Sequence, residues 1–216
     1  MRPAPSDPPE VEAQLWRGFT GNVGWDIGAN CGQSLPTMTK RFRHVVAFEP
    51  AEECYEYLVP WVGRASLANV VISNYALSDV DGQIELAALP SKIDSGQLVT
   101  PGTPGMEWSP CVWFDADNRA VEARTADSLL EEFSPPNFLK IDVEGHEQKV
   151  LDGARQLISD YLPAMLVEFH TPQLGESCRA TLVDNYGYRV EVVRHPHYLP
   201  GSPMWHQHGW LRAFPS

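Results

Sequence analysis

Short apolar runs alternate with amphipathic stretches along most of this chain. Residues 23–27, 45–48, 70–73, 138–141 and 164–169 are largely apolar, rich in β-branched and aromatic side chains, and flanked by Gly, Asn, Pro or acidic residues, so they predict buried strands. The run at 164–169 is apolar enough to be covered on both faces, as in a parallel sheet. Between these runs the spacing predicts helices. One starts near Ser34, where Pro36 is tolerable in a first turn. A second carries Tyr55, Leu58, Trp61 and Val62 on one side. A third shows Val150, Leu151, Ala154, Leu157 and Ile158 at i, i+1, i+4, i+7 and i+8. Thr171-Pro172 reads as an N-cap followed by Pro at the first helical position. Residues 125–133 predict a short helix with Leu129 and Leu130 inward. Residues 84–89 predict a strand after the Asp81-Gly82 turn, and 188–193 and 210–214 predict two final strands.

Strands alternating with helices predict an α/β fold with a doubly wound, mostly parallel sheet. Ligands of such sheets bind beyond the carboxyl ends of the strands, where the strand order reverses. The first strand ends at Asp26, the second at Glu49 and the 138–141 strand at Asp142, so three acids are expected on that one edge. Two segments break the rhythm. Residues 90–120 hold repeated Pro and Gly with Trp108, Trp113 and Phe114, which predicts a lid or substrate loop over the edge, or a contact in a homodimer. Residues 195–208 form a Pro- and His-rich loop between the last two strands. At the start, residues 1–9 read as a loose arm and 10–19 as a helix capping the domain.

With 216 residues, 43% of them hydrophobic, the expectation is one domain with a substantial core. The formal net charge of −12 disfavours a nucleic-acid substrate and docking on anionic membranes. Cys31, Cys54, Cys111 and Cys178 are widely separated and form no C-x-x-C pair, which predicts reduced thiols in a cytoplasmic protein. Neither a signal-peptide pattern at the start nor an apolar run of membrane-spanning length is evident.

The sharpest chemical signal is Gly24-Trp25-Asp26-Ile27-Gly28-Ala29-Asn30-Cys31-Gly32, a strand end, glycine turn and helix start. Its D-x-G-x-N-x-G pattern differs from the G-x-G-x-x-G of nicotinamide and flavin enzymes. A glycine turn lets backbone N–H groups approach a ligand. A carboxylate at Asp26 repels a pyrophosphate but attracts a cationic amino-acid ligand such as S-adenosylmethionine (SAM). Glu49 stands near the spacing at which an acid after the second strand receives both ribose hydroxyls of a nucleoside.

A second constellation is Leu139-Lys140-Ile141-Asp142-Val143-Glu144-Gly145-His146-Glu147, three carboxyl groups and a histidine where a strand meets a helix. The helix dipole accounts for Glu147 alone. It accounts poorly for Asp142 and Glu144, which point to a site. Glu168 and His170 end the next strand, close enough on adjacent parallel strands to join Asp142. His146 or His170 could deprotonate an acceptor hydroxyl. Asp142, Glu144, His146, Glu168 and His170 are also plausible ligands of a divalent ion, although a metal is not the favoured reading. The H-x-H pairs at His195/His197 and His206/His208 match no standard zinc spacing.

Together these segments resemble the FkbM-type SAM-dependent methyltransferases of the class I superfamily. The resemblance rests on DIGANCGQS, VVAFEP, NYALSDVDGQIEL, the ART-x-DSLLEEF run, FLKIDVEGHEQKVLDGA and PAMLVEFH, in that order over residues 22–170. It implies a Rossmann-like seven-stranded sheet with an antiparallel C-terminal strand, SAM as donor, and methyl transfer to an oxygen of a sugar, polyketide or similar small-molecule or glycan acceptor. On the matching positions, Asp26, Gly28, Asn30 and Gly32 would line the methionine and ribose part of SAM. Glu49 would take the ribose hydroxyls, Ala76 would border the adenine, and Asp142, Glu144 and His146 would lie beside the methyl group. Residues 90–120 and 195–208 depart from the family pattern, and they face the acceptor.

Overall fold

The computed structural model describes residues 13–86, 119–194 and 208–216. Its main sheet has seven strands: β1 (Gly21–Ile27), β2 (Phe42–Phe48), β3 (Val70–Ser73), β7 (Phe138–Ile141), β8 (Ala164–Phe169), β9 (Arg189–Arg194) and β10 (Gly209–Phe214). They lie in the order β3-β2-β1-β7-β8-β10-β9. β1 pairs in parallel with both β2 and β7, so the order reverses there, and β10 pairs antiparallel with β8 and β9. A separate three-stranded sheet, β4 (Ala76–Leu77), β5 (Gly82–Leu86) and β6 (Arg119–Arg124), has the order β4-β6-β5. Of these three, β4 and β6 have no counterpart among the predicted strands, and residues 87–118, which hold most of the predicted lid, lie outside the described residues.

Side chains alternate across the central strands and fill two cores. On one face Trp25, Ile27, Phe48, Leu139 and Ile141 pack with Val150, Leu151, Leu157 and Ile158. On the other, Phe138 stacks on Phe42 at 5.0 Å and meets Phe19 at 4.7 Å. The helices covering this second face are α1 (Leu35–Arg41) and α2 (Glu52–Arg64), and α2 buries Cys54, Leu58, Trp61 and Val62. Cys54, expected as a thiol, is disulfide-bonded; Cys31 and Cys178 keep their thiols, and Cys111 lies outside the described residues. Separation along the chain carries no information on the short Cα–Cα distance that a disulfide needs.

The amphipathic stripe at 150–158 is not one helix. It divides into α3 (Glu147–Asp152) and α4 (Arg155–Tyr161), with all five stripe residues still buried. The break falls at Gly153. A Cβ there would sit 1.9 Å from the Ser78 carbonyl oxygen, so glycine is what lets the chain after β4 pass this close. The 125–133 segment is shorter than expected, a 3₁₀ turn at Ser128–Glu131 with Leu129 buried. After β8, Thr171 caps α5 (Pro172–Ala180) by accepting from Leu174 N at 3.2 Å. No helix among the described residues is long and apolar enough to cross a membrane.

Candidate functional site

Asp26, Glu49 and Asp142 all stand at the carboxyl edge of β1, β2 and β7. The turn after β1 is built by backbone contacts. Gly28 (φ +80°) lies so close to β7 that an added Cβ would be 1.9 Å from the Asp142 carbonyl oxygen. Gly28 N and Ala29 N both donate to Phe48 O at 3.0 Å, Cys31 N donates to Asn30 Oδ1 at 2.7 Å, and Gly32 N donates to Ala29 O at 2.8 Å. The expectation that these N–H groups are open to a ligand is therefore corrected. They close the turn on itself and join the ends of β1 and β2.

The remaining donor of the turn, Asn30 N, reaches Glu49. Glu49 Oε2 accepts from Asn30 N at 2.7 Å, and Oε1 accepts from Ala51 N at 2.9 Å. Each oxygen keeps a further lone pair. Burial pushes the Glu49 carboxyl up to about 7, against the lowering effect of the two backbone donors.

A second correction concerns Asp26, which does not offer a free negative charge. Its side chain is fully buried, and Lys140, opposite it on β7, places Nζ 3.0 Å from Asp26 Oδ1. The same ammonium is 3.4 Å from Asp142 Oδ2 and donates to Gly28 O at 3.2 Å. Burial pulls the Lys140 pKa down, but Asp26 and Asp142 outweigh it and hold it above its ordinary value. Burial raises Asp26 more than Lys140 lowers it. Nothing in the local sequence marks Lys140, because its partner on β1 is remote along the chain.

Beyond β7 the chain turns through Glu144, which adopts φ +53°, and Gly145 into α3. His170, at the end of β8, meets this turn with both ring nitrogens. Nδ1 is 3.3 Å from Glu147 Oε1, and Nε2 is 3.3 Å from Glu144 Oε2 and 3.9 Å from Glu168 Oε1. Burial lowers the His170 pKa, yet the contact with Glu147 and the charges of Glu144 and Asp142 raise it overall. Burial and the Asp142 carboxylate raise Glu168 well above the carboxylate range. His208 stands edge-on to His170 with ring centroids 5.2 Å apart.

His146 takes no part in this cluster. Its Nε2 lies 2.9 Å from Ser78 Oγ, and burial lowers its pKa. Ser78 follows β4, so the contact ties the small sheet, with Ala76 in it, to the start of α3. Two donor sets, Glu168/His170/His208 and Asp142/Glu144/His170, each bring ligating atoms within 4.8 Å of one another, and a divalent ion could share them. His195, His197 and His206 lie outside the described residues. Reading along the sequence found neither the burial of Glu147 nor the approach of His208, since both depend on how β8, β10 and α3 meet.

The family profile described as "Methyltransferase FkbM domain" matches residues 26–190. The chain belongs to this family. A curated relative, the hexuronic acid methyltransferase AglP of Haloferax volcanii, is 29% identical over 151 residues, 69% of this chain. The chain spans little over half of that relative, 56% of its length. A methyltransferase FkbM from Methylobacillus flagellatus KT superposes with a TM-score of 0.55 at 18% identity, over 88% of this chain and 43% of that one. An rRNA methylase from Streptococcus thermophilus superposes at 0.57 with 7% identity, over 97% of both chains. Such likenesses show the class I methyltransferase fold and, with the family match, assign the sheet edge described above to an FkbM domain.

Proposed function

We propose that this FkbM domain holds SAM at the carboxyl edge of β1 and β2 and directs methyl transfer to a hydroxyl oxygen of a sugar, polyketide or similar small-molecule or glycan acceptor. The observation that carries the reading is Glu49, a buried carboxyl fixed by two backbone donors with a lone pair left on each oxygen for a ribose hydroxyl. The residues fit such a ligand. Among the described residues the one cation at the turn, Lys140, is already engaged by Asp26 and Asp142, which leaves no partner for a pyrophosphate. Asn30 and Gly32 shape the turn, and Ala76 borders the adenine side.

SAM, when bound, supplies a methyl carbon already made electrophilic by its sulfonium. The protein then has to orient the acceptor and remove its proton. Asp142 and Glu144 bind and orient the acceptor hydroxyl. His170 takes the proton on Nε2 once Glu144, whose side chain is 56% exposed, has swung aside. His146, bound to Ser78, is not the base. The hexuronic acid methyltransferase of Haloferax volcanii supports a sugar as the acceptor class.

Calorimetric titration of wild type and Glu49→Ala with SAM and its demethylated product tests the donor, and transfer of labelled methyl to a sugar panel tests the acceptor. Binding lost in Glu49→Ala supports the reading. No binding by folded wild type overturns it.

A further inference from the structure

Glu147 opens α3, and its charge would ordinarily be ascribed to the helix dipole. Two observations argue against that. The helix has six residues, and the Glu147 side chain is fully buried. Instead of facing water, it folds back over the preceding turn, where Oε1 accepts from Val143 N at 3.2 Å and Gly145 N at 3.1 Å. The same oxygen lies 3.3 Å from His170 Nδ1. The two atoms are not aligned as a hydrogen bond, so Nδ1 is buried without a hydrogen-bond partner among the described residues, and Glu147 is the carboxyl within reach of it.

We infer that Glu147 is the positioning residue of His170, fixing which ring nitrogen carries the proton and which faces the acceptor; this rests on the reading of His170 as the proton acceptor. The carboxyl cannot rotate without giving up two backbone donors, so its position is tied to the chain. It therefore makes the two nitrogens of His170 unequal. Nδ1 faces a buried acceptor inside the protein. Nε2 faces Glu144 and Glu168, on the side where Glu144 reaches solvent. In the neutral ring the hydrogen then resides on Nδ1 and the lone pair on Nε2. His208 also packs edge-on against the ring, with centroids 5.2 Å apart. An acceptor behind a metal-bound histidine orients that ring, and its removal there costs about 10–100-fold in activity; a loss of the same order is expected for a histidine that must present one nitrogen to an acceptor.

The test is ¹⁵N NMR of the imidazoles in the whole chain at a pH where His170 is neutral, with its signals assigned by their loss in His170→Asn. The expected result is the Nδ1–H form in wild type. Glu147→Gln, whose amide oxygen can take the same three contacts, retains that form and most of kcat. Glu147→Leu loses the preference and about 10–100-fold in kcat, with acceptor KM and SAM affinity unchanged. An Nε2–H form in wild type overturns the proposal. So does a folded Glu147→Leu with wild-type tautomer and kcat. If Glu147→Leu does not fold, the wild-type and Glu147→Gln spectra decide. Titration of wild type with SAM reports separately on the methyltransferase reading, since the tautomer is read without turnover.

Discussion

Lys140 faces Asp26 directly across the β1–β7 ladder, its ammonium 3.0 Å from Oδ1 in a part of the sheet that water does not reach. Breaking one side of a buried pair leaves the other charge without compensation. Lys140→Met is therefore expected to lower unfolding stability by about 3–5 kcal/mol, and Asp26→Leu/Lys140→Met to recover most of it. Urea denaturation of the two variants checks this. A double variant as unstable as the single one would mean that the pair is not coupled.

Glu49 gives a pH dependence with a definite sign. Its carboxyl is raised from 4.5 to about 7, chiefly by burial. The folded chain thus keeps a proton that the unfolded chain releases, so this group's contribution to stability is present in full below 4.5 and lost as pH rises through 7. An ionised carboxylate is the stronger acceptor for ribose hydroxyls, so SAM affinity is expected to rise over the same window and then level off. Calorimetry on either side of pH 7 reads the slope, which Glu49→Gln should flatten.

Methylation rate should also rise with pH. The carboxylates around His170 raise its pKa, so the neutral ring becomes available only above the ordinary value of 6.5. The single-turnover profile is expected to inflect above 6.5 in wild type and at lower pH in Glu144→Gln. At the plateau, His170→Ala should cost roughly 10²–10⁴-fold in rate, and His146→Ala much less. Equal losses in the two alanine variants would reject the assignment of roles.

Gly28→Ala meets two obstacles, a left-handed φ of +80° and a Cβ 1.9 Å from the Asp142 carbonyl oxygen. Strain and overpacking together predict a loss of about 2–5 kcal/mol. Thermal unfolding measures it. A variant that keeps wild-type stability would show that β1 and β7 can separate at this point.

Continuous apolar runs explain why so much of the fold was legible. The strands at 138–141 and 164–169 have the bounds read from the sequence, because strands covered on both faces leave an unbroken pattern; the strand at 70–73 also keeps its bounds, although it is the edge strand of the sheet and exposes Val71. The two residues of β4 and the half-polar β6 leave no such pattern, since their pairing is with each other across a long stretch of chain. The close approach of Ser78 to Gly153, where the helix breaks, is remote in sequence, and no local periodicity reports it. Within the site, the three acids of the sheet edge followed from strand ends alone. The split between His146 and His170 did not. His146 sits in the acidic motif by sequence, yet the fold turns it toward Ser78 and brings His170 to the acids instead.

The position of β10 between β8 and β9 has a consequence for synthesis of the chain. β9 precedes β10 in sequence but meets the main sheet only through it. As the polypeptide leaves the ribosome, β9 emerges with both backbone edges unsatisfied, an adhesive ribbon exposed to neighbouring nascent chains. Gly209–Phe214 then follows and slots in between β8 and β9, which closes one of those edges and leaves the other at the border of the sheet, so insertion of that late segment halves the hazard.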